Sequence, residues 1–419
     1  MIKVFKFGGF AVSDAESVKN LVKIISTTSS AQILIIVSAM GKTTDALEKL
    51  CKSYVEGNND VQEILKAIKH FHENIMIELF ETKVHPVFDE IANTFVEIEW
   101  MLEDEPHPDY DFNYDQIVSI GEFLSSRIVA SYLNENKIDT KWVDARDFIH
   151  TDNTYREGII DMNKTRSSMP ILKNMLEKQT VITQGFIGGT SENFSTTLGR
   201  EGSDYSAAIF ASCINAESLT VWKDVPGIMN ADPRLFEEAK KYEELPYSEA
   251  LEMAYYGATV IHPKTIKPLQ NAGVPLFVRP FLFPEEMGTR IDSTAKLNTD
   301  ISAIIVKQNQ MLLSISLKDF SFIDEHILIY LLQIISEAHI KLNMMQRSAL
   351  SLSVCFNQDE TKFNKLYDTL KDRFKCKYNE GLDLLTVRHF KRDKLDTILA
   401  GRTVMMEQFS RNTAQIILQ

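Results

Sequence analysis

Hydrophobic and polar positions follow two alternating rhythms along this chain of 419 residues. Residues 2–7 form a short β-rich run that Gly8-Gly9 breaks, and Ser13 with Glu16 three residues later predicts a capping box for a helix through Lys23. Residues 32–37 are a second strand, apolar enough to be buried on both faces. Strand, helix and strand in that order predict a parallel α/β sheet. From about residue 61 the spacing turns helical, with Ile64, Leu65, Ile68 and Phe71 on one face, and a helical insertion is expected over about residues 58–135. The acidic, proline-bearing stretch 103–111 reads as a solvated connector. The alternation then resumes, with strands at 181–183, 218–222 and 275–278 and helices at 204–211 and 248–256.

Around residues 292–299 the chain becomes polar and turn-like, which predicts a boundary between a domain at 1–292 and a region at 300–419. Beyond it come a strand at 311–317, an amphipathic helix at 324–338, a strand pair at 340–345 and 350–356, a helix at 360–374 and a strand at 382–387. That βαββαβ order belongs to a ferredoxin-like sandwich. Residues 404–408 and 414–418 read as a closing hairpin, and Met344-Met345 as core packing.

Composition narrows the partners. The chain is 44% apolar and 25% charged, as an ordinary globular protein is. Lys and Arg total 45 against 58 acidic residues, a net charge of −13 that disfavours nucleic acid. An anionic ligand must therefore find its positive charge locally. Cys51, Cys213, Cys355 and Cys376 are scattered and make no CxxC pair, which fits a reducing cytoplasm better than a disulfide scaffold. No run approaches the roughly 18 apolar residues of a membrane span, and the opening residues lack a signal peptide's apolar stretch, so the expectation is a cytoplasmic protein without a membrane partner. His70, His72, His107 and His262 show no zinc spacing with cysteine, so no protein metal site is expected.

Four segments carry candidate chemistry. Lys6-Phe7-Gly8-Gly9 closes a buried strand with a cation and then opens the backbone, which lets N–H groups approach a phosphate while lysine neutralises it. Ser38 to Thr44 follow the second strand. Gly41-Lys42-Thr43 is no Walker A loop, because that motif requires glycine where Ile36 stands, but Ser38 and Thr44 still offer donors at the carboxyl edge of a sheet. Thr197-Leu198-Gly199-Arg200-Glu201-Gly202-Ser203-Asp204 leads into a helix begun by Ser203 or Asp204. Arg200 can fork onto a carboxylate and Asp204 can pair an ammonium, a clamp suited to a zwitterion. Lys223-Asp224-Val225-Pro226-Gly227 leaves a strand end. Lys223 and Arg234 could meet nucleotide phosphates there, and Asp224 could orient Lys6.

In this order, and with Gly121-Glu122-Phe123-Leu124-Ser125, Thr183-Gln184-Gly185-Phe186-Ile187, Tyr256-Gly257-Ala258 and Ile261-His262-Pro263-Lys264-Thr265, these segments resemble the aspartate kinases of the amino-acid kinase superfamily. The resemblance is close over about residues 1–290 and looser beyond. It implies an α/β fold, a three-layer α/β/α sandwich followed by ferredoxin-like ACT-type regulatory units, and a homodimer or higher homo-oligomer assembled through that region. It implies ATP with Mg2+ as donor and 4-phospho-L-aspartate as product, the entry to lysine, threonine and methionine synthesis. Lys6 would stabilise the migrating phosphoryl group, assisted by Asp224. Gly8 and Gly9 would meet phosphates, and Lys223, Asp224, Met229, Arg234 and Thr259 occupy nucleotide positions. Ser38, Thr44, Glu122, Arg200, Ser203 and Asp204 would surround aspartate, with Arg200 on its α-carboxylate and Glu122 and Asp204 placing its ammonium. The attacking carboxylate is already ionised at neutral pH, so no strong general base is required.

Departures from the family pattern are specific. Phe10 follows the double glycine where Thr or Ser is usual, Glu201 replaces a glycine, and Thr259 stands where a nucleotide-contacting lysine is usual. Lys223 occupies a usual threonine position, and the expectation is that it supplies the missing cation. Residues 301–387 can supply one full ACT-like unit, with a second represented only by strands near 302–306 and 404–418. Asn343 stands where an acidic residue commonly meets an effector, and residues 320–326 match the usual effector loop poorly. Two other readings remain: a different acid kinase of the superfamily, or a catalytically silent amino-acid sensor on the kinase scaffold, which Phe10, Glu201 and Thr259 would suit.

Overall fold

A computed structural model describes residues 1–28, 32–82, 84–258, 260–319 and 321–419. The chain divides into two compact units. The first comprises residues 1–228, 241–251 and 260–297, and the second residues 229–240, 252–259 and 298–419. Two short excursions of the first segment thus group with the C-terminal unit, which a single boundary near 292–300 does not capture.

The first unit is built on an eight-stranded sheet. Its strands are β1 (Ile2–Phe7), β2 (Gln32–Val37), β3 (Thr140–Trp142), β4 (Thr180–Gln184), β7 (Ser218–Lys223), β8 (Glu244–Pro246), β9 (Leu276–Pro280) and β10 (Thr289–Asp292), while β5 (Ile187–Gly189) and β6 (Ser195–Thr197) form a separate hairpin. The order is β3-β4-β2-β1-β7-β9-β10-β8, and all neighbours are parallel except β9 and β10. Sequential β1 and β2 lie side by side, whereas β7 joins β1 from its other edge. The strand order reverses beside β1, so the crevice at its carboxyl end is where an open α/β sheet receives ligands.

Helices cover both faces. They are α1 (Ala15–Thr27), α2 (Thr43–Val55), α3 (Val61–Leu79), α4 (Val87–Glu103), α5 (Tyr110–Val118), α6 (Ile120–Glu135), α7 (Met162–Leu176), α8 (Gly202–Ile214), α9 (Tyr247–Tyr256) and α10 (Pro263–Ala272). Period-2 alternation sorts the central strands. Phe5 and Phe7 of β1 and Trp222 of β7 point into the core shared with α1, α3 and α6. Phe7 and Trp222 stack there with centroids 6.1 Å apart. Lys6 and Lys223, being out of phase with those aromatics, project to the opposite face, where α8 packs. The cap of α1 differs from the expected Ser13 box: the Asp14 carboxylate accepts from Ser17 N at 2.8 Å. An ionised oxygen is the better acceptor at the positive end of a helix.

The second unit contains β11 (Ala303–Leu317), α11 (Glu325–Glu337), β12 (Leu342–Arg347), β13 (Ser351–Asn357), α12 (Glu360–Leu370), β14 (Phe374–Arg388), α13 (Arg392–Leu399), β15 (Val404–Phe409) and β16 (Thr413–Leu418). One antiparallel sheet in the order β12-β13-β11-β14-β16-β15 joins them. Its first four strands follow the ferredoxin-like order of an ACT-type unit. Leu331, Ile334, Phe363 and Leu366 of α11 and α12 cover one face, on Leu313, Val354 and Phe356. Met344 is buried in the opposite face, but Met345 is exposed, as alternation along β12 requires.

Candidate active site

Five strand ends converge at the switch point. Ser38 follows β2 and donates its N–H to Phe7 O at 3.1 Å, Gly185 follows β4 and donates to Val37 O at 2.8 Å, and Phe281 N reaches Lys223 O at 2.7 Å. The carboxyl edges of β4, β2, β1, β7 and β9 are thus laced together around Lys6. The turn above Lys6 requires glycine at position 9 and leaves little room at position 8. A Cβ on Gly8 would stand 3.3 Å from Lys6 Nζ, and one on Gly9 would meet Gly41 O at 2.9 Å and Ala39 O at 3.0 Å. Bare backbone here gives the cradle a phosphate needs.

Beneath that turn lies a cluster of buried charge. Asp204, in the first turn of α8, is 2% exposed. Its Oδ1 is 2.6 Å from Lys6 Nζ and its Oδ2 is 2.9 Å from Lys223 Nζ. Burial would push the Asp204 carboxyl up, but the two ammonium groups outweigh it and hold it well below the usual range. Burial lowers Lys6 below the ordinary lysine value, opposed by Asp204 and reinforced by Lys223. Burial also lowers Lys223, yet Asp204 and Glu201 leave it raised overall. Among its neighbours, Glu122 in the first turn of α6 is equally enclosed. Its Oε1 accepts from Ala39 N at 3.3 Å, while Oε2 has no hydrogen-bond partner. Burial pushes its carboxyl up to about 8, against the pull of Ala39 N and Lys6.

Of the pair expected to clamp a zwitterion, Asp204 is buried and Arg200 is exposed. Asp204 faces the sheet because α8 is buried nearly all round, whereas Arg200 precedes the helix and is exposed. Arg200 lines a cleft of about 690 Å³ with Thr44, Glu48, Tyr114, Arg156 and Glu201. Helix α8 begins at Gly202, not at Ser203 or Asp204, and Glu201 at its N-cap adopts a left-handed φ of 54° with no side-chain cap. For a residue with a Cβ this conformation costs on the order of 1 kcal/mol, which accounts for glycine being usual there. Gly202 cannot carry a Cβ, since Phe186 Cδ2 would lie 2.6 Å away.

Residues that sequence reasoning missed brace β6, whose Thr197 lines this cleft. Asp115 of α5 is fully buried and accepts from Thr197 N (2.9 Å), Thr197 Oγ1 (2.7 Å) and Arg156 N (2.9 Å). Gln116 accepts from Ser195 N at 3.0 Å and donates to Ser195 O at 2.9 Å. Two consecutive side chains thus hold the edge of β6, three residues before Arg200. Arg156 lies 4.3 Å above the Tyr114 ring, and the Tyr114 hydroxyl donates to the Glu48 carboxylate. The only local signal was the polar run before Gly121-Glu122; the contacts themselves link residues 41 to 82 apart in sequence.

The remaining expected site residues distribute as follows. Asp224 is exposed just past β7, and Ser203 is half-buried on α8. Met229 and Arg234 belong to the second unit, where Arg234 is 87% exposed at its side chain and closes on Asp232 at 2.7 Å. Thr259 lies outside the described residues. Phe10 is exposed, its ring 6.2 Å from that of Phe281. Among the described residues, no group of three or more His, Cys, Asp or Glu side chains is arranged to hold a metal, and no helix is long and apolar enough to cross a membrane.

The model of the amino acid kinase family matches residues 1–280. The lysine-sensitive aspartokinase 3 of Escherichia coli is 31% identical over 317 residues, covering 75% of this chain and 69% of that protein. A chloroplastic bifunctional aspartokinase/homoserine dehydrogenase 2 of Arabidopsis thaliana is 27% identical over 89% of this chain, and the chain spans only 42% of that protein's length. Among solved structures, E. coli aspartokinase III in complex with aspartate and ADP superposes with a TM-score of 0.85 at 25% identity, over 100% of this chain and 96% of that one.

Proposed function

Since the chain belongs to the amino acid kinase family and, within it, to the aspartokinases, we propose that it transfers the γ-phosphoryl group of ATP to the β-carboxylate of L-aspartate, giving 4-phospho-L-aspartate. The observation that carries this reading is Lys6, buried at the tip of the switch-point strand beneath a glycine turn that a Cβ would obstruct. It is supported by the solved relative that holds aspartate and ADP.

In this reading the Gly8 and Gly9 backbone receives the phosphates, and Lys6 neutralises the group in transfer. Mg2+ would come bound to the ATP phosphates and would supply charge screening there, since no group of acidic or histidine side chains among the described residues is arranged to hold it. Arg200, on the cleft wall, takes the α-carboxylate, with Ser38, Thr44 and Ser203 as neighbouring donors. Glu122, its Oε2 unpartnered, receives the ammonium. Asp224, just past β7 in the same unit, lies on the nucleotide side in this reading. The reaction needs positioning and charge neutralisation rather than a base, because the attacking carboxylate is ionised at neutral pH. A cytoplasmic location is proposed, in keeping with the scattered free cysteines. Homodimerisation through the C-terminal unit is also proposed, since Phe322 and Ile329 are largely exposed there.

The test is to trap acyl phosphate as hydroxamate with ATP and a panel of acceptors. Aspartate is expected to give product, with glutamate, acetylglutamate and UMP silent. Turnover of another acceptor, or of none, would overturn the assignment.

A further inference from the structure

We propose that Lys223 is a second cation acting directly on the phosphoryl group in transfer, and that Asp204 is the positioning residue that holds Lys6 and Lys223 side by side. This deepens the phosphotransferase reading and rests on it.

Strand alternation supplies the first argument. Lys223 ends β7, which pairs with β1, and both lysines point away from the aromatic face carrying Phe5, Phe7 and Trp222. The ion pairs supply the second. Each Asp204 oxygen is taken by a different lysine, at 2.6 and 2.9 Å, and the Lys223 side chain is only 22% exposed. Two ammonium groups share one enclosed carboxylate; of the other acids that act on them, Glu201 and Glu122 are pushed toward their neutral forms by burial, and Asp224 beside Lys223 is exposed, so water screens its charge. Unbalanced buried charge is costly. A site built this way gains when an anion arrives beside both lysines.

Asp204 is correspondingly engaged on both oxygens, so the substrate's ammonium falls to Glu122, whose Oε2 is unpartnered. Lys223 also moves from its expected place as a general nucleotide contact to the reacting phosphate. During transfer, a bond forms between the acceptor carboxylate oxygen and the γ-phosphorus. The bond from that phosphorus to the β–γ bridging oxygen breaks, and its electron pair leaves on ADP. No proton moves, and the two lysines bear on the charge of the non-bridging oxygens.

The test compares wild type, Lys223→Met, Lys223→Thr and Lys223→Arg by steady-state kinetics and calorimetric titration with MgATP and MgADP. Lys223→Met is expected to lower kcat about 100-fold, to leave the KM for aspartate within about twofold, and to erode the preference for MgATP over MgADP. Lys223→Arg should restore part of kcat. Lys223→Thr, with a smaller side chain, carries the same expectation should the Met variant fold poorly. An unchanged kcat, or a higher KM for ATP alone with kcat intact, would overturn the proposal. If wild type makes no acyl phosphate, the parent reading fails instead, and the MgATP-to-MgADP affinity ratio still decides whether Lys223 faces a γ-phosphate: a ratio equal in wild type and variant refutes it.

Discussion

Burial holds the Glu122 carboxyl at about 8, so at pH 7 most molecules carry it protonated, while an incoming ammonium favours the ionised form. The KM for aspartate is therefore expected to fall by roughly 20-fold between pH 6.5 and 8.5, following the ionised fraction of a group with that pKa. Glu122→Gln should bind aspartate weakly and flatten this dependence. Stability moves the other way. A carboxyl whose folded value lies above its unfolded one contributes stability that is complete below about pH 4.5 and lost as pH rises through about 8. Glu122→Gln is thus expected to melt higher than wild type at pH 8.5, and thermal scans across pH check it. A KM that rises with pH, or a variant that melts lower at pH 8.5, would contradict this role for Glu122.

At the scale of elements, α3 carries an acid-sensitive residue in its buried face. His72 is fully buried between Phe71 and Phe95, with Nδ1 2.8 Å from Ile68 O and Nε2 unpartnered. Burial drops its pKa to about 4, so its neutral form stabilises the fold above about pH 6.5, and that contribution fades as pH falls toward 4. By pH 5 the loss amounts to about 2 kcal/mol. His72→Leu is expected to narrow the gap in denaturant midpoint between pH 7.5 and pH 5, and an unchanged gap would count against this account. The elements themselves were largely legible where periodicity is strong: β1, β2, α3 and the βαββ run of the second unit follow from spacing and turn residues alone. Short strands such as β3, β8 and β10 were not, because three or four residues carry no period. Helix α7 was also hidden, with Pro170 interrupting its pattern. Among site residues, Lys6 and the glycine turn were readable from four adjacent letters. Asp204 was readable as a charge but not as the partner of Lys6 and Lys223, since only sheet order brings β1, β7 and α8 together. Asp115 stood in a polar run whose role could not be read, because its partners are up to 82 residues away.

For the molecule as a whole, the acidic balance of −13 makes the two enclosed lysines a local exception, and it is at that exception that an anionic substrate finds complementary charge. In the second unit Asn343 is fully engaged: its Nδ2 donates to Gln310 Oε1 at 2.7 Å and Asn357 Oδ1 at 2.8 Å, and its Oδ1 accepts from Lys307 at 2.9 Å. Titration with free lysine is accordingly expected to give no binding heat, and tight lysine binding would contradict this. Sedimentation of wild type is expected to give a dimer and that of a Phe322→Asp, Ile329→Asp double variant a monomer; a monomeric wild type would remove the proposed assembly. The whole account depends most on Lys6 serving phosphoryl transfer to a carboxylate. Hydroxamate trapping with MgATP and L-aspartate, run in parallel on wild type and Lys6→Met, tests it most directly. The expected result is product from wild type and at least a 100-fold lower kcat in the variant; equal rates from the two proteins, or no aspartyl hydroxamate from wild type, would contradict it.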